Sequence, residues 1–308
     1  MPTATTLSGW ISADHWKTFE QERVNAHRIF SSGSVCIERF AQDVLISRVS
    51  QVSLDALMQE LDDWSKAVGF TPRRIYRRDM MKSSDVQTNA VLVHGDAQLP
   101  SAVTIEEYGL KYEVDFASGY SVGFFMDQRH NRRHLRALAA KDVLNCFAYT
   151  CSFSVVAAAA GGKTTSIDLA RKALDRGKRN FELNGLSVDE HAFHMGDVRE
   201  WFRRFSKKKV TFDAIVLDPP TFSRNKEGDV FQVEKDMSEL IAWSIQCVAP
   251  KGQVLLSTNC STLHSRDLVD LAKLELRKVG KTASFQSEPI PDDIPEESAP
   301  STVWMKMG

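Results

Sequence analysis

From residue 142 onward, short apolar runs alternate with longer stretches of mixed polarity. Residues 142–149 form a short apolar run suited to a strand buried in a sheet, 212–217 are the clearest strand, and 164–168, 191–195 and 253–257 read as the others. Between them, residues 152–160, 170–183, 198–205, 231–248 and 266–279 read as helices. Gly161-Gly162, Asn184-Gly185, Pro250 with Gly252, and Gly280 provide the stops. Two more strands are expected near residues 283–286 and 302–307, separated by a proline- and acid-rich loop at 289–300. This alternation predicts an α/β fold: a doubly wound, seven-stranded, Rossmann-like sheet with helices on both faces. Ligands then bind beyond the carboxyl ends of the strands, where the strand order reverses. Asn145, Tyr149, Asp168, Asp197, Asp218 and Asn259-Cys260 fall at those ends.

The chain ahead of this region has another pattern. Residues 35–39 and 44–49 suggest two strands around a turn at 41–43. Leu54, Leu57, Met58, Leu61 and Trp64 recur at helical spacing within 54–68. Residues 105–115 read as a hairpin turning at Tyr108-Gly109. A smaller α+β accessory domain over 1–123 is therefore expected ahead of the main domain at 124–308.

Charge and cysteine content narrow the partners. With Lys+Arg 39 and Asp+Glu 40, the net charge is −1, so no global field draws the 308-residue chain to a polyanion. Residues 155–160, the most apolar stretch, are far too few to cross a bilayer, and residues 1–10 lack the basic and apolar regions of a signal peptide. No membrane association is expected. Cys36, Cys146, Cys151, Cys247 and Cys260 are scattered, odd in number and without zinc-site spacing, which fits no metal and a reducing cytoplasm. Nothing in the pattern speaks to oligomeric state.

Asp168 ends the second strand, where a carboxylate can accept from both hydroxyls of a ribose. Asp197, beside the backbone NH of Val198, is placed to read an adenine edge. Both placements suit any adenosine-containing cofactor, and NAD and S-adenosylmethionine (SAM) both stay open; each Asp could equally cap a helix. The absence of Gly-x-Gly-x-x-Gly after the first strand argues against NAD. Asp218-Pro219-Pro220-Thr221-Phe222 is more telling. Proline fixes φ and has no donor, so the two prolines hold the acid and following carbonyls at the rim. Phe222 adds a face for stacking a base. The plain alternative is a rigid turn with a capping acid.

Together, residues 142–150, Ser166-Ile167-Asp168, 180–185, Gly196-Asp197-Val198, 218–222 and 257–261 resemble, in order and spacing, the class I SAM-dependent methyltransferases. Within that class the chain resembles the bacterial 23S ribosomal RNA large-subunit methyltransferases of the I and K/L type. Gly123-Phe-Phe-Met-Asp-Gln-Arg-His-Asn-Arg-Arg133 resembles their segment before the first strand, and Ile105-Glu-Glu-Tyr-Gly-Leu-Lys also matches. The similarity runs from about Ile29 to the C-terminus. It implies a methyltransferase sheet using SAM. Gln128 and Arg129 would lie near its methionine end, Asn145 and Phe147 along the first loop, and Asp168 with Leu169 at the ribose. Asp197 and Val198 would take the adenine, and Asp218 would stand between methyl donor and acceptor. Two departures stand out. Members of the I type carry an N-terminal RNA-binding PUA domain, which this sequence is expected to lack. Their first loop usually reads Tyr-Thr-Gly-Gly; here it is Tyr149-Thr150-Cys151-Ser152, and a cysteine there predicts a loop that avoids positive φ.

Cys260, in Ser257-Thr-Asn-Cys-Ser-Thr-Leu263, matches the nucleophile stretch of RNA cytosine-C5 methyltransferases. Cytosine C5 is a poor nucleophile until a thiolate adds at C6, which explains the need for a cysteine. The plain alternative is a small residue packed at a strand end. Methylation of a guanine or adenine nitrogen, served by Asp218-Pro-Pro without a thiol, is the enzymatic rival; a non-catalytic RNA-binding protein on the same scaffold is the other. The expected substrate is RNA, ribosomal RNA foremost. Arg73, Arg74, Arg77 and Arg78, interleaved with Tyr76, are the expected phosphate contacts, with Pro219, Pro220 and Phe222 at the base. The cluster at Arg203, Arg204 and 207–209 reads as a solvated helix face.

Overall fold

The computed structural model describes residues 9–49, 52–80, 89–119, 121–224 and 230–308. Most of the N-terminal segment expected to carry no signal peptide thus lies outside the described residues. The chain divides into two compact units, residues 1–126 with 292–295, and 127–291 with 296–308.

The first unit contains α1 (Ala13–Gln21), β1 (Ala26–Ser32), β2 (Val35–Phe40), β3 (Asp43–Val49), α2 (Leu54–Val68), β4 (Arg74–Met80) and β5 (Val91–His94). Strands β1 to β5 pair in sequence order, antiparallel except for β3 and β4, which α2 joins as a parallel crossover. Helix α2 begins at Ser53, whose side chain accepts from Ala56 N, and ends at Gly69 in the left-handed region. Trp16, Ile29, Ile37, Val44, Ile46, Leu57, Leu61 and Ile75 fill the core. Hairpin β6 (Ala102–Glu107) and β7 (Leu110–Asp115) turns on Tyr108 (φ 50°) and Gly109 (φ 82°), the two positive φ values that a two-residue turn matching strand twist requires. Arg28 N donates to Asp293 Oδ2 at 2.8 Å, attaching 292–295 to this unit. Helix α1 and strands β1, β4 and β5 go beyond the sequence expectation.

The second unit opens with α3 (Arg129–Leu138) and continues β8 (Asp142–Cys146), α4 (Ser152–Ala159), β9 (Lys163–Asp168), α5 (Arg171–Leu183), β10 (Ala192–Met195), α6 (Val198–Lys208) and β11 (Phe212–Leu217). A small hairpin, β12 (Phe222–Arg224) and β13 (Val230–Gln232), precedes α7 (Val233–Cys247), β14 (Val248–Thr258), α8 (Ser265–Lys278), β15 (Ala283–Gln286) and β16 (Ser301–Met307). The seven-stranded sheet runs β10-β9-β8-β11-β14-β16-β15, with β16 antiparallel to both its neighbours β14 and β15 and the other pairs parallel, which is the α/β architecture expected. Phe231 belongs to β13 and not to the following helix, because Gln232 is extended and starts α7 only at Val233. Among the described residues, no helix is long and apolar enough to cross a membrane, and no three His, Cys, Asp or Glu side chains gather where they could hold a metal.

Candidate active site

Strand β8 pairs with β9 on one side and β11 on the other, so the order reverses there. Register then aligns the strand ends. Cys146 pairs with Ile167 and with Leu217, and Leu217 pairs with Leu256. The next residues along each strand, Phe147, Asp168, Asp218 and Ser257, therefore share one rim.

The loop after β8 is wound tightly. Phe147 (φ 56°), Tyr149 (φ 47°) and Cys151 (φ 62°) all occupy the left-handed region. The expectation of a loop avoiding positive φ is therefore overturned. Packing and hydrogen bonding hold the conformation. Ala148 N donates to Ile167 O at 2.9 Å and Cys151 N to Ala148 O at 2.7 Å. Asn180 Nδ2 donates to Thr150 O at 2.9 Å. The Cys151 side chain sits on Gly177 of α5, where a Cβ would come within 2.5 Å of Sγ. Burial pushes the Cys151 thiol up to about 12, leaving it a packing group.

Asp168 accepts from Tyr149 N on Oδ2 and from Ala170 N on Oδ1, each at 2.8 Å. Burial raises its carboxyl above the ordinary range against the pull of these donors. A carboxylate offers about four lone-pair sites, so acceptor capacity remains for hydroxyls. Beyond it, Phe147, Leu169, Gly196, Asp197, Val198 and Phe231 line a narrow cleft. Asp197 caps α6, accepting from Arg199 N at 2.8 Å and from the Arg199 guanidinium at 2.8 Å. Burial alone would raise this carboxyl, but the Arg199 hydrogen bonds and charge outweigh it and hold the group below the ordinary range. Aromatic and aliphatic walls, an acid cap and a hydroxyl acceptor next door fit an adenosine.

Asn145 does not reach the cleft. It is buried and donates to Ser154 Oγ at 2.9 Å, which in turn bonds Ser166 Oγ at 2.8 Å. The next-to-last residue of β8, it spends its amide on Ser154 of α4 and acts as a brace, which corrects the expectation of a cofactor contact.

Asp218 follows β11 and is half-buried at the rim. Ser257 Oγ donates to its Oδ1 at 2.6 Å, and Gln128 Nε2 lies 3.3 Å from Oδ2 and 2.8 Å from Ser257 Oγ. Burial raises the Asp218 carboxyl, opposed by the Ser257 hydrogen bond and the charge of Arg132. Arg129 is also buried in α3. Pro219 is buried and Pro220 exposed, while Phe222 in β12 is 54% exposed and free to stack. Cys260 lies three residues beyond Ser257, 8% exposed, at the margin of the apolar core. Its N donates to Thr258 Oγ1 at 3.1 Å, and its Sγ lies 3.2 Å from Thr262 Oγ1, which donates to Glu234.

The four arginines of the first unit separate. Asp43, fully buried, accepts from Arg73 Nε and Nη2, both at 3.0 Å, and from Arg74 Nε at 3.2 Å. Arg74 is 1% exposed and also donates to Pro100 O at 2.8 Å. It is a buried structural cation, which corrects the expectation of an RNA contact. Arg78 donates to Ser47 Oγ at 2.8 Å, and Arg77 lies 3.1 Å from Asp79. Arg73 and Arg77 keep 46% and 32% of their side-chain surface exposed.

Sequence reasoning gave no role to Ser257, Asn131 or Trp304, all hydrogen-bonded around Gln128. The three-residue spacing of Gln128 and Asn131 was the available signal; the part played by Ser257 needs the register of β11 with β14.

Residues 56–280 match the family described as S-adenosylmethionine-dependent methyltransferase. The chain is 31% identical over 297 residues to YwbD of Bacillus subtilis, provisionally named a ribosomal RNA large subunit methyltransferase, covering 92% of this chain and 73% of YwbD. It is 36% identical over 199 residues to the ribosomal RNA large subunit methyltransferase I of Aeromonas salmonicida, covering 63% of this chain and 50% of that enzyme. The crystal structure of SMU.776, a provisionally assigned methyltransferase complexed with SAH, superposes with a TM-score of 0.79 at 28% identity, covering 96% of this chain and 78% of that one. Family match, sheet order and rim chemistry agree: the chain belongs to the S-adenosylmethionine-dependent methyltransferases.

Proposed function

We propose that this methyltransferase modifies RNA, with large-subunit ribosomal RNA as substrate and C5 of cytosine as the acceptor atom. The single observation that carries the reading is the rim itself: Asp218, exposed Phe222 and the Cys260 strand end follow adjacent, in-register strands. The relatives named for large-subunit ribosomal RNA methylation support the substrate class.

When bound, SAM supplies an electrophilic methyl on a sulfonium. Asp168 would hold the ribose, and the cleft at Leu169, Asp197 and Val198 the adenine, with Gln128 and Arg129 toward the methionine end. Phe222 stacks the target base and Asp218 accepts from its exocyclic amine. The Thr262 hydroxyl gives its proton to Glu234 and so accepts from the Cys260 thiol. The same chain carries the thiol proton toward Glu234 as Sγ adds to C6. That addition makes C5 nucleophilic; C5 takes the methyl, a base removes the C5 proton, and the thiolate leaves. On the first unit, Arg73 and Arg77 are the proposed phosphate contacts.

One observation favours a second reading, nitrogen methylation: the Asp218 cluster is complete without the thiol, whose partner is Thr262. The deciding experiment incubates the protein with methyl-labelled SAM and ribosomal RNA from a methylation-deficient strain, followed by nucleoside mass spectrometry. The expected product is 5-methylcytidine, lost in Cys260→Ala. A methylated purine, or full activity of Cys260→Ala, removes the C5 assignment. Calorimetry showing no SAM binding at millimolar ligand would point instead to the non-catalytic scaffold.

A further inference from the structure

Five side chains from four separate segments form one continuous hydrogen-bonded chain in the second unit. Trp304 Nε1 of β16 donates to Asn131 Oδ1 of α3 at 3.0 Å. Asn131 Nδ2 donates to Gln128 Oε1 at 2.8 Å. Gln128 Nε2 donates to Ser257 Oγ at 2.8 Å and points at Asp218 Oδ2, 3.3 Å away. Ser257 Oγ donates to Asp218 Oδ1 at 2.6 Å.

Every link has a forced direction. An indole N–H can only donate. Asn131 must therefore turn its oxygen to Trp304 and its NH2 to Gln128. Gln128 in turn must present its oxygen to Asn131 and its NH2 to Ser257 and Asp218. Ser257, already accepting from Gln128, has its single proton left for Asp218. Flipping either amide would face acceptor to acceptor in the interior, where an unmet polar group is costly. The anchor is itself immobile: Trp304 is 1% exposed, and its ring stacks on His134 with centroids 4.3 Å apart.

We propose that Trp304 and Asn131 are positioning residues that lock Gln128 and Ser257 as donors to Asp218, so that Asp218 faces the substrate as a hydrogen-bond acceptor. This rests on the reading of Asp218 as the group that meets the acceptor base. Neither Trp304 nor Asn131 needs to touch substrate or cofactor. The relay favours the ionised carboxylate at a position where burial opposes it, and it fixes which lone pairs remain outward.

The test uses the full chain. Trp304→Phe keeps the ring and removes the donor; Asn131→Leu keeps the volume and breaks the second link. Leu240→Ala, a core truncation in α7 that removes none of the relay's hydrogen bonds, is the control for simple destabilisation. Asp218 is followed directly by carbon-13 carboxyl titration, with its resonance identified through Asp218→Asn. Both relay variants should move the Asp218 titration to higher pH, by about one unit or a tenfold change in the protonation equilibrium, and Leu240→Ala should not. Methyl transfer by both variants should show a lower kcat on the acidic side of its pH profile. The proposal is overturned if folded Trp304→Phe and Asn131→Leu titrate as the parent does, or if Leu240→Ala shifts Asp218 as far. Should Trp304→Phe fail to fold, Asn131→Leu decides alone. If the parent transfers no methyl to RNA, the substrate reading fails while the titration still judges the relay.

Discussion

Arg74→Ala and Arg73→Ala, one residue apart, should have opposite consequences. Asp43 has no exposure, Arg74 has 1%, and Arg73 keeps 46% of its side chain in solvent. Removing Arg74 deletes the buried member of an Arg–Asp–Arg group, leaves Leu99 O and Pro100 O without their donor, and opens a void against Asp43. Breaking a buried ion pair from one side costs about 3–5 kcal/mol. Removing Arg73 leaves Asp43 still held by Arg74, and the half-exposed bond lost is worth about 1 kcal/mol or less after solvent screening. The assay is hydrogen exchange of β3 and β4 peptides, which reports the first unit by itself, paired with RNA binding across a salt series. Arg74→Ala should lose protection by more than a hundredfold and Arg73→Ala by less than tenfold, since 1.4 kcal/mol is about tenfold in an equilibrium. Arg73→Ala combined with Arg77→Ala should weaken RNA binding, lower the salt slope by about 2 and spare SAM binding. Native protection in Arg74→Ala together with weakened RNA binding would refute the assignment of that residue to the interior.

Two further substitutions probe the site's supports. Gly177→Ala would drive a Cβ to within 2.5 Å of Cys151 Sγ and should destabilise by about 1–3 kcal/mol; Cys151→Gly in the same chain should restore the melting temperature, and no restoration would mean the clash is elsewhere. Arg199→Ala should cost stability at neutral pH. Asp197 has a depressed folded pKa, so its contribution is complete above the unfolded value of about 3.9 and disappears as pH falls through the folded value. Urea unfolding at stepped pH should show the gap between parent and variant closing below about pH 4; a gap independent of pH would rule out the ion pair as its source.

The parallel sheet was legible because its central strands are apolar runs and most of the helices between its strands are followed by glycine, asparagine or proline. Strand β4 was not, because Arg74-Ile-Tyr-Arg-Arg-Asp-Met80 reads as a charged surface until Asp43 is placed opposite Arg74 by the register of β3 with β4. Helix α3 hides for the same reason: Arg129, Asn131 and Arg132 are its buried face. Charge counts alone therefore misassigned Arg74. At the site, acids at strand ends were visible one by one, whereas Ser257 becomes a partner of Asp218 only through the pairing of Leu217 with Leu256. Asn145 shows the reverse error. A polar residue near a strand end looks like a ligand contact, and Ser154 on the following helix takes it up instead.

The loop after β8 explains how the cofactor rim persists without the glycines its resemblance would supply. Three residues other than glycine sit in the left-handed region within positions 147–151, a conformation costing about 1–2 kcal/mol each. The compensation is distributed. Ile167 O, Ala148 O and the Asp168 carboxylate each take a loop N–H, and Gly177 leaves room for the Cys151 side chain. Asp168 thus fixes the backbone at both Tyr149 and Ala170, and the ribose contact proposed for it would draw on the lone pairs these bonds leave over. The strain is met when the chain folds, not when a cofactor arrives, so the loop is already set for binding. It also means that no substitution of Asp168 can be read as a cofactor effect alone: Asp168→Asn turns one acceptor into a donor and releases at least one backbone N–H at the same time. In the proposed reading, ligand contact and loop geometry are one structural element, held together by a single side chain.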